Sequence, residues 1–168
     1  MDLSLKNRIC LRIPSTEWIF DDTNRSVKIE KLMIHLMLDN QGIGLAANQI
    51  GFDKKVFVMG SYQIENFPEP FALFNPEIIE CSDDLEIDNE GCLSFPDLVL
   101  SIKRPKAIKV RFQDVSGSTE IREFDGLAAR CFQHELDHLY GICFVDKVSQ
   151  LKLQYSYRKL RKHYDRTQ

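Results

Sequence analysis

The chain has 168 residues, a hydrophobic fraction of 43%, a charged fraction of 28% and a net charge of −3. This length predicts a single domain spanning residues 1–168, and the small net charge gives no bias towards DNA or an anionic membrane. No apolar run approaches the ~18 residues of a transmembrane helix, and residues 1–6 lack the apolar core of a signal peptide. The five cysteines show no C-x-x-C spacing, so we expect reduced thiols in a cytoplasmic protein.

The first half of the chain contains predicted strands and one predicted helix. Residues 8–13 alternate charged and apolar side chains, which predicts an edge strand that ends at Pro14. Residues 26–38 carry apolar side chains on one helical stripe, which predicts a helix packed on the core. Residues 55–59 and 71–74 have the composition of strands.

Residues 40–50 form an unusual glycine-containing segment. Gly42 and Gly44 are followed by small residues, so the backbone here can approach a ligand closely or adopt positive φ. Gln49 then presents a neutral amide beside this loop. An ordinary turn between a helix and a strand would also explain the glycines, and the segment lacks the G-x-G-x-x-G pattern or Walker lysine of a phosphate-binding loop.

The second half of the chain predicts a group of strands and a terminal helix. Residues 78–85 are poorly patterned, whereas residues 99–102, 107–112 and 119–124 read as antiparallel strands. Residues 148–164 predict a basic amphipathic helix. We expect its apolar side to consist of Leu151, Tyr155 and Leu160.

Between these elements, the segment Gln-His-Glu-Leu-Asp-His-Leu at residues 133–139 carries the pattern H-E-x-x-H. Apolar residues recur at helical spacing around it, Asp125 is a candidate N-cap, and Gly141 is a candidate C-cap. The segment should therefore be helical. The helical residues that set this spacing are Leu127, Ala128, Cys131, Leu136 and Leu139.

His134 and His138 lie four residues apart, which places both rings on one face of such a helix and within reach of one metal ion. Glu135 stands next to them, where a carboxylate can accept a proton from a water that the ion has acidified. The alternative is an ordinary amphipathic helix that happens to carry two histidines. Because the whole chain has only four histidines, a metal site is the better explanation.

A third ligand must come from elsewhere in the chain. A peptidase with this motif normally takes it from downstream, but no glutamate follows the motif, and the remaining candidates are Asp146, His163 and Asp165. Cys92 is the better candidate. Gly91 before it allows the backbone to bend, and Glu90 and Ser94 offer polar partners that can orient the ligands.

Residues 42–49, 90–94 and 133–138 together resemble the three signature motifs of peptide deformylases, in the same order and at similar spacing. The resemblance extends from the first helix to about Asp146, although Asn48 stands where many members have proline or another residue. It implies an α+β fold in which antiparallel β-sheets surround a central metal-binding helix, with an N-terminal helix and a C-terminal helix. It also implies a reaction, the removal of the N-formyl group from the initiator methionine of nascent polypeptides with release of formate.

The resemblance implies a role for each motif residue. Glu135 would be the acid and base, and the oxyanion would be bound by the Gln49 side chain and the Leu93 backbone N–H. One divalent ion is implied, Fe²⁺ in the cell, with Zn²⁺, Ni²⁺ or Co²⁺ as alternatives that the donor types also suit. The implied metal ligands are Cys92, His134 and His138.

The methionine side chain of such a substrate needs an apolar pocket. We expect Ile43, Leu127 and Cys131 to line it, with ordinary core packing as the alternative for each side chain. The backbone of the glycine loop, including Gly44, is expected to pair with the substrate as an added strand.

Two other functions and one further partner remain open. A zinc peptidase would take a carboxylate or His163 as its ligand, and a structural metal domain would add Cys81 or Cys143 as a fourth ligand. The resemblance also suggests docking on the ribosome, in which Lys159, Arg161 and Lys162 would contact RNA phosphates. A solvated helix face is the alternative explanation for these cations.

Overall fold

The computed structural model describes residues 10–167. Within this range the α-helices are α1 (Thr23–Asp39), α2 (Gly126–Leu139) and α3 (Gln150–Thr167). The strands are β1 (Gly44–Ala46), β2 (Val56–Met59), β3 (Phe71–Cys81), β4 (Leu85–Cys92), β5 (Phe95–Pro105), β6 (Ala107–Gln113) and β7 (Thr119–Asp125). Short 3₁₀ turns occur at Cys10–Arg12, Ala47–Ile50 and Phe144–Lys147.

The strands form two antiparallel sheets, one ordered β1-β2-β3-β6-β7 and the other consisting of β4 and β5. Strand β1 is an edge of the larger sheet and pairs on one side with β2, where Leu45 is opposite Val58. The predicted α+β fold with N-terminal, central and C-terminal helices is therefore confirmed. Among the described residues no helix is both long and apolar enough to cross a membrane.

Helix α2 is central because it is buried along almost its whole length. On one side Phe132 packs edge-on against Phe57 of β2, with ring centroids 5.1 Å apart, and against Phe124 of β7 at 5.7 Å. The helix begins after Asp125, whose side chain makes no capping hydrogen bond. It ends as expected at a glycine, since Gly141 has φ of +75° and its N–H donates to the His138 carbonyl at 3.0 Å.

Helix α1 covers the other part of the larger sheet, where Met33 and Met37 are fully buried against Leu45 and Val58. It begins three residues before the predicted start. The Asp22 carboxylate explains this extension, because it accepts the Asn24 N–H at 2.9 Å and caps the helix there.

The predicted edge strand at residues 8–13 is wrong over its described part, because Cys10–Arg12 forms a 3₁₀ turn; residues 8 and 9 lie outside the described residues. Leu11 alone is inserted into a core cluster with Phe95 and Phe144, whereas Arg12 is exposed and pairs with Asp146. The segment therefore buries one side chain, Leu11, from a turn, and does not alternate buried and exposed side chains as a strand would. The poorly patterned residues 78–85 contain the end of β3 and the start of β4.

The predicted apolar side of the last helix is also wrong in part. Leu151 and Tyr155 are 80% and 70% exposed, and the side chains that reach the core cluster beneath α3 are Leu153 and Leu160. These two residues lie seven positions apart and therefore share one face of the helix. Leu151 and Tyr155 do not lie on that face. The exposed pair leaves apolar surface on α3 beside the smaller sheet.

Candidate metal centre

Helix α2 and the end of β4 bring three metal-ligating side chains together. His134 and His138 lie one turn apart with their rings edge to face and the ring centroids 4.9 Å apart, and both are buried. Cys92 ends β4 at the tight connection to β5, where its Sγ atom lies 3.3 Å from Nε2 of His138. The candidate ligand atoms of these three residues all lie within 4.8 Å of one another.

This donor set fits a divalent transition-metal ion. Ligand atoms bound at about 2.0–2.3 Å in a tetrahedral arrangement lie roughly 3.3–3.8 Å apart, so only small rotations would complete the site. One thiolate and two imidazoles suit zinc and the neighbouring first-row metals. Three protein donors leave a position for water or substrate, as in catalytic rather than structural sites.

The alternative ligands lie elsewhere in the structure. Cys81 is exposed at the end of β3, and Cys143 is buried in the core cluster beneath α3. Asp146 is engaged by an arginine and by the Cys143 N–H, and His163 and Asp165 lie on α3. Among residues 10–167 these side chains are not part of the group that surrounds the two histidines. The geometry therefore favours neither a peptidase with a downstream ligand nor a closed structural site.

Glu90 fixes the orientation of the His134 ring. Its Oε2 atom lies 3.0 Å from Nδ1 of His134, while Arg104 donates to both carboxylate oxygens at 2.6 and 2.9 Å and Arg130 donates to Oε1 at 2.8 Å. Burial by itself would raise the pKa of Glu90, but the hydrogen bonds from Arg104 and His134 outweigh it and lower the pKa to about 2. An ionised Glu90 accepts the Nδ1 proton, so that Nε2 is the nitrogen available to bind a metal ion.

The two arginines extend this contact across the molecule. Arg104 also donates to Asp137 at 2.8 Å, and Arg130 donates to the carbonyls of Ile102 and Glu86 at 3.1 Å each. The network therefore joins α2 to both strands of the smaller sheet. Sequence reasoning missed both arginines, although an arginine at an otherwise apolar position of a buried strand or helix was a signal that a buried acid faces it.

The pKa values of the two histidines are strongly shifted from their usual value. Burial lowers the pKa of His138 to well below its usual value. Burial acts in the same direction on His134, but hydrogen bonds to Cys92 and Glu90 outweigh it and raise the pKa to about 10. A cation that binds here must displace this proton, so metal affinity depends on pH.

Glu135 is buried beside the ligands, and its Oε2 atom has no hydrogen-bond partner within the described residues. Burial raises its pKa to about 7. Gly44 of β1 approaches this carboxylate so closely that a Cβ atom there would lie 2.6 Å from Oε1. The need for glycine at residue 44 therefore has a steric cause within the protein itself, in addition to the close approach to a ligand that the sequence suggested.

Gln49 lies in the 3₁₀ turn after β1 with its amide held in one orientation. Its Oε1 atom accepts the Ala46 N–H at 2.7 Å, so its Nε2 group points the other way, 3.1 Å from Oγ of Ser94 and 3.6 Å from Sγ of Cys92. The donor end of the side chain therefore lies next to a candidate ligand. Leu93, between Cys92 and Ser94, is half-buried.

A cavity of about 550 Å³ opens onto these groups. The structure brings nine of the ten predicted site residues to its wall, while His138 is fully buried behind it. The polar residues that sequence reasoning did not assign to this cavity are Asn40, Gln41, Gln63, Asn89, Asp97 and Arg130. The nine predicted residues are Ile43, Gly44, Gln49, Cys92, Leu93, Leu127, Cys131, His134 and Glu135.

This fold and donor set define a class of protein, the metal-dependent hydrolases that carry H-E-x-x-H on a central helix. The sequence profile of the family described as "Polypeptide deformylase" matches residues 3–154. The chain belongs to this family, and it is a hydrolase that removes the N-formyl group from nascent polypeptides.

Individual relatives agree with this assignment. A peptide deformylase of Prochlorococcus marinus strain NATL2A is 44% identical over 141 residues, which are 83% of this chain and 68% of the relative. A crystal structure of a probable peptide deformylase from Synechococcus phage S-SSM7 has a TM-score of 0.77 and 42% identity, covering 83% of this chain and 93% of that one. The peptide deformylase of Synechococcus elongatus, solved in complex with actinonin, has a TM-score of 0.81 and 38% identity, with 89% and 80% coverage.

Proposed function

We propose that Cys92, His134 and His138 hold one divalent ion, which is Fe²⁺ in the cytoplasm and can be replaced by Zn²⁺, Ni²⁺ or Co²⁺. The observation that carries the proposal is the closeness of the three donor atoms, all within 4.8 Å of one another. When bound, the ion supplies a Lewis acid that polarises the formyl carbonyl and lowers the pKa of a water molecule.

Glu135 moves the proton in this proposal. It accepts a proton from the attacking water and delivers it to the amine that departs from the formyl carbon. Two features support the role. The Oε2 atom has no hydrogen-bond partner within the described residues and so keeps its capacity to accept a proton, and a pKa of about 7 allows the carboxylate both to accept and to donate near neutral pH.

Gln49 and Leu93 stabilise the negative charge that develops on the formyl oxygen. The Gln49 Nε2 group and the Leu93 backbone N–H are the donors. The hydrogen bond from the Ala46 N–H supports this role, because it fixes the amide so that no reorientation is needed during the reaction.

The substrate lies along β1. The free edge of this strand offers backbone groups near Gly44 for pairing with an extended peptide. The methionine side chain enters the part of the cavity lined by Ile43, Leu127 and Cys131. Leu127 is 38% exposed at the cavity mouth, which supports a contact with substrate more than a role in the core.

We also propose that the basic surface of α3 docks the enzyme near the ribosomal exit of the nascent chain. Lys159, Arg161 and Lys162 are all exposed. Ammonium and guanidinium groups at this density suit RNA phosphates, and such binding weakens as salt concentration rises. Co-sedimentation with ribosomes at increasing salt tests this contact, and salt-independent or absent co-sedimentation would contradict it.

Formate release tests the catalytic proposal. Protein loaded anaerobically with Fe²⁺ or Ni²⁺ should release formate from formyl-Met-Ala-Ser, whereas Glu135→Gln and Cys92→Ala should lose this activity. Cys81→Ala is the matched control, because that thiol is exposed and distant from the donor group. Peptide mapping of the products separates this reaction from cleavage at internal peptide bonds. A metal-loaded parent that releases no formate overturns the proposed roles.

A further inference from the structure

A second groove lies between the start of β5 and the C-terminal half of α3. It has a volume of about 650 Å³. Residues 97–99 form one wall, and the other wall includes Tyr155, Lys159, His163 and Tyr164. The family profile ends at residue 154, so the α3 wall is built from residues beyond the part of the chain that the profile matches.

This groove continues from the catalytic cavity. Asp97 lines both, with Pro96 before it on the cavity side and Leu98 and Val99 after it on the groove side. The Tyr164 hydroxyl donates to the Asp97 carboxylate, so α3 is attached at the point where the two spaces meet. A peptide that leaves the cavity past Asp97 therefore meets α3.

The chemistry of the groove suits a polypeptide. Val99 is 55% exposed and Tyr155 is 70% exposed, which provides apolar surface for side chains. Its wall also carries one lysine, Lys159, and one aspartate, Asp97. These side chains can pair with a single charged or hydrogen-bonding group of a peptide. Mixed apolar and polar walls of this kind are typical of sites that bind extended peptides.

The same groove does not suit RNA. Binding of a phosphate backbone needs several cations, but the carboxylate of Asp97 stands in the wall that faces Lys159. Three further cations of this helix, Arg158, Arg161 and Lys162, are exposed and do not line the groove. The groove and the basic surface of α3 therefore share Lys159, whereas Arg161 and Lys162 belong to the basic surface alone.

We propose that this groove binds the downstream residues of the same polypeptide whose formyl-methionine occupies the catalytic cavity. The proposal rests on the proposed function, because it assumes that the formyl group is held at the metal centre. Its consequence is a dependence of activity on substrate length: peptides long enough to pass Asp97 gain contacts with Val99 and Tyr155 that a tripeptide cannot make.

Kinetics with two substrates test the proposal in the absence of ribosomes. The first is formyl-Met-Ala-Ser, and the second extends it to about nine residues with tyrosine, leucine and aspartate, a length that spans roughly 30 Å when extended. The parent should show a KM about three- to tenfold lower for the longer peptide with similar kcat, as expected from one or two added apolar contacts.

Variants in the groove test whether the lower KM of the longer peptide comes from contacts with α3. Tyr155→Ala combined with Lys159→Ala should raise the KM of the long peptide towards that of the tripeptide. Arg158→Ala is the matched control, since it removes an exposed cation of the same helix outside the groove and should leave the length dependence intact. Thermal unfolding of each variant confirms that α3 is folded.

Each outcome decides between the proposals. Equal KM values for the two peptides, or a length dependence that survives in the Tyr155/Lys159 variant, overturn the groove proposal while deformylation of the tripeptide stands. Failure to release formate from either peptide overturns the catalytic roles and the groove with them. If the double variant changes only the mass measured by light scattering, the groove is a contact between copies of this chain and the peptide proposal is wrong.

Discussion

The Nδ1 atom of His134 lies 3.0 Å from the Oε2 atom of Glu90, inside a network that buries this carboxylate with two arginines. Both side chains are at least nine-tenths buried. This one contact links the orientation of a proposed metal ligand to the stability of the smaller sheet. Removing Glu90 should therefore change metal binding and folding together.

We expect Glu90→Ala to lower the free energy of unfolding by about 3–5 kcal/mol, because it removes the anion that both buried guanidinium groups share. Arg104 would keep only Asp137, and Arg130 would keep only the half-exposed Glu86 at 4.0 Å. We also expect metal affinity to fall by about 10- to 100-fold, since His134 loses its orienting partner. Urea unfolding and competition with a chelating dye measure the two effects. Glu86→Gln is the control, because that carboxylate is 46% exposed and 4.0 Å from Arg130. A Glu90 variant with the affinity of the parent would contradict the orienting role.

Asn48 connects the 3₁₀ turn that carries Gln49 to helix α2. Its Nδ2 group donates to the His138 carbonyl at 2.5 Å, near the end of α2, where the Gly141 N–H donates to the same carbonyl at 3.0 Å. We expect Asn48→Ala to cost about 1–2 kcal/mol of stability and to lower kcat more than it raises KM, because Gln49 is the next residue in the chain.

Unfolding and steady-state kinetics measure these two effects of Asn48→Ala. Asn66→Ala, at an exposed position, is the matched control and should change neither quantity. A variant that loses stability but keeps the kcat of the parent would show that the bond to His138 is structural only.

Gly44→Ala should abolish most of the activity while the protein remains folded. The added Cβ atom would lie 2.6 Å from Oε1 of Glu135 and 2.8 Å from Sγ of Cys131, so the proposed acid and base must move. We expect kcat/KM to fall by about 100-fold or more, as displacements of about 1 Å at catalytic groups do.

Gly91→Ala provides the comparison for this glycine variant. A Cβ atom at Gly91 would meet the Leu98 carbonyl at 3.9 Å, which is an ordinary contact, so we expect little change in kcat/KM. Near-parental activity of Gly44→Ala would show that the carboxylate has another productive position.

Removal of metal should lower thermal stability. An ion present at about 100 times its dissociation constant stabilises the folded state by about 2.7 kcal/mol, so dialysis against a chelator should lower the melting temperature, and added Zn²⁺ or Ni²⁺ should restore it. Scanning calorimetry measures the shift. Cys92→Ala should show a much smaller response to added ion, and a response equal to that of the parent would argue against the thiolate ligand.

Several features followed from the sequence because they depend on local geometry. Two histidines four residues apart share a helix face whatever surrounds them, so His134 and His138 were assigned together and the structure places them together. Strands β6 and β7 were predicted within one residue at each end, since alternation of side chains along a strand is also a local property. Three motifs in the order of a known family then predicted the fold and the reaction.

Other features were decided only by the tertiary structure, because they depend on residues distant in the chain. The residues 8–13 were predicted as a strand, but Leu11 is inserted beneath Phe95 and a turn results. The apolar side of helix α3 was predicted to consist of Leu151, Tyr155 and Leu160, but contact with the smaller sheet buries Leu153 and Leu160 instead. A local sequence pattern indicates which side chains share a face of a helix or strand. It does not indicate which other element that face packs against.

The buried ion network shows the same limit most clearly. Glu90, Arg104 and Arg130 are separated by up to 40 positions, so no local sequence pattern shows that these three charges pair with one another. Only the packing of α2 against β4 and β5 removes water from all three and makes their pairing necessary, because a buried charge is tolerated only with a partner. The sequence by itself determined the ligands that one helix presents; the tertiary structure decided which distant charges hold those ligands in place.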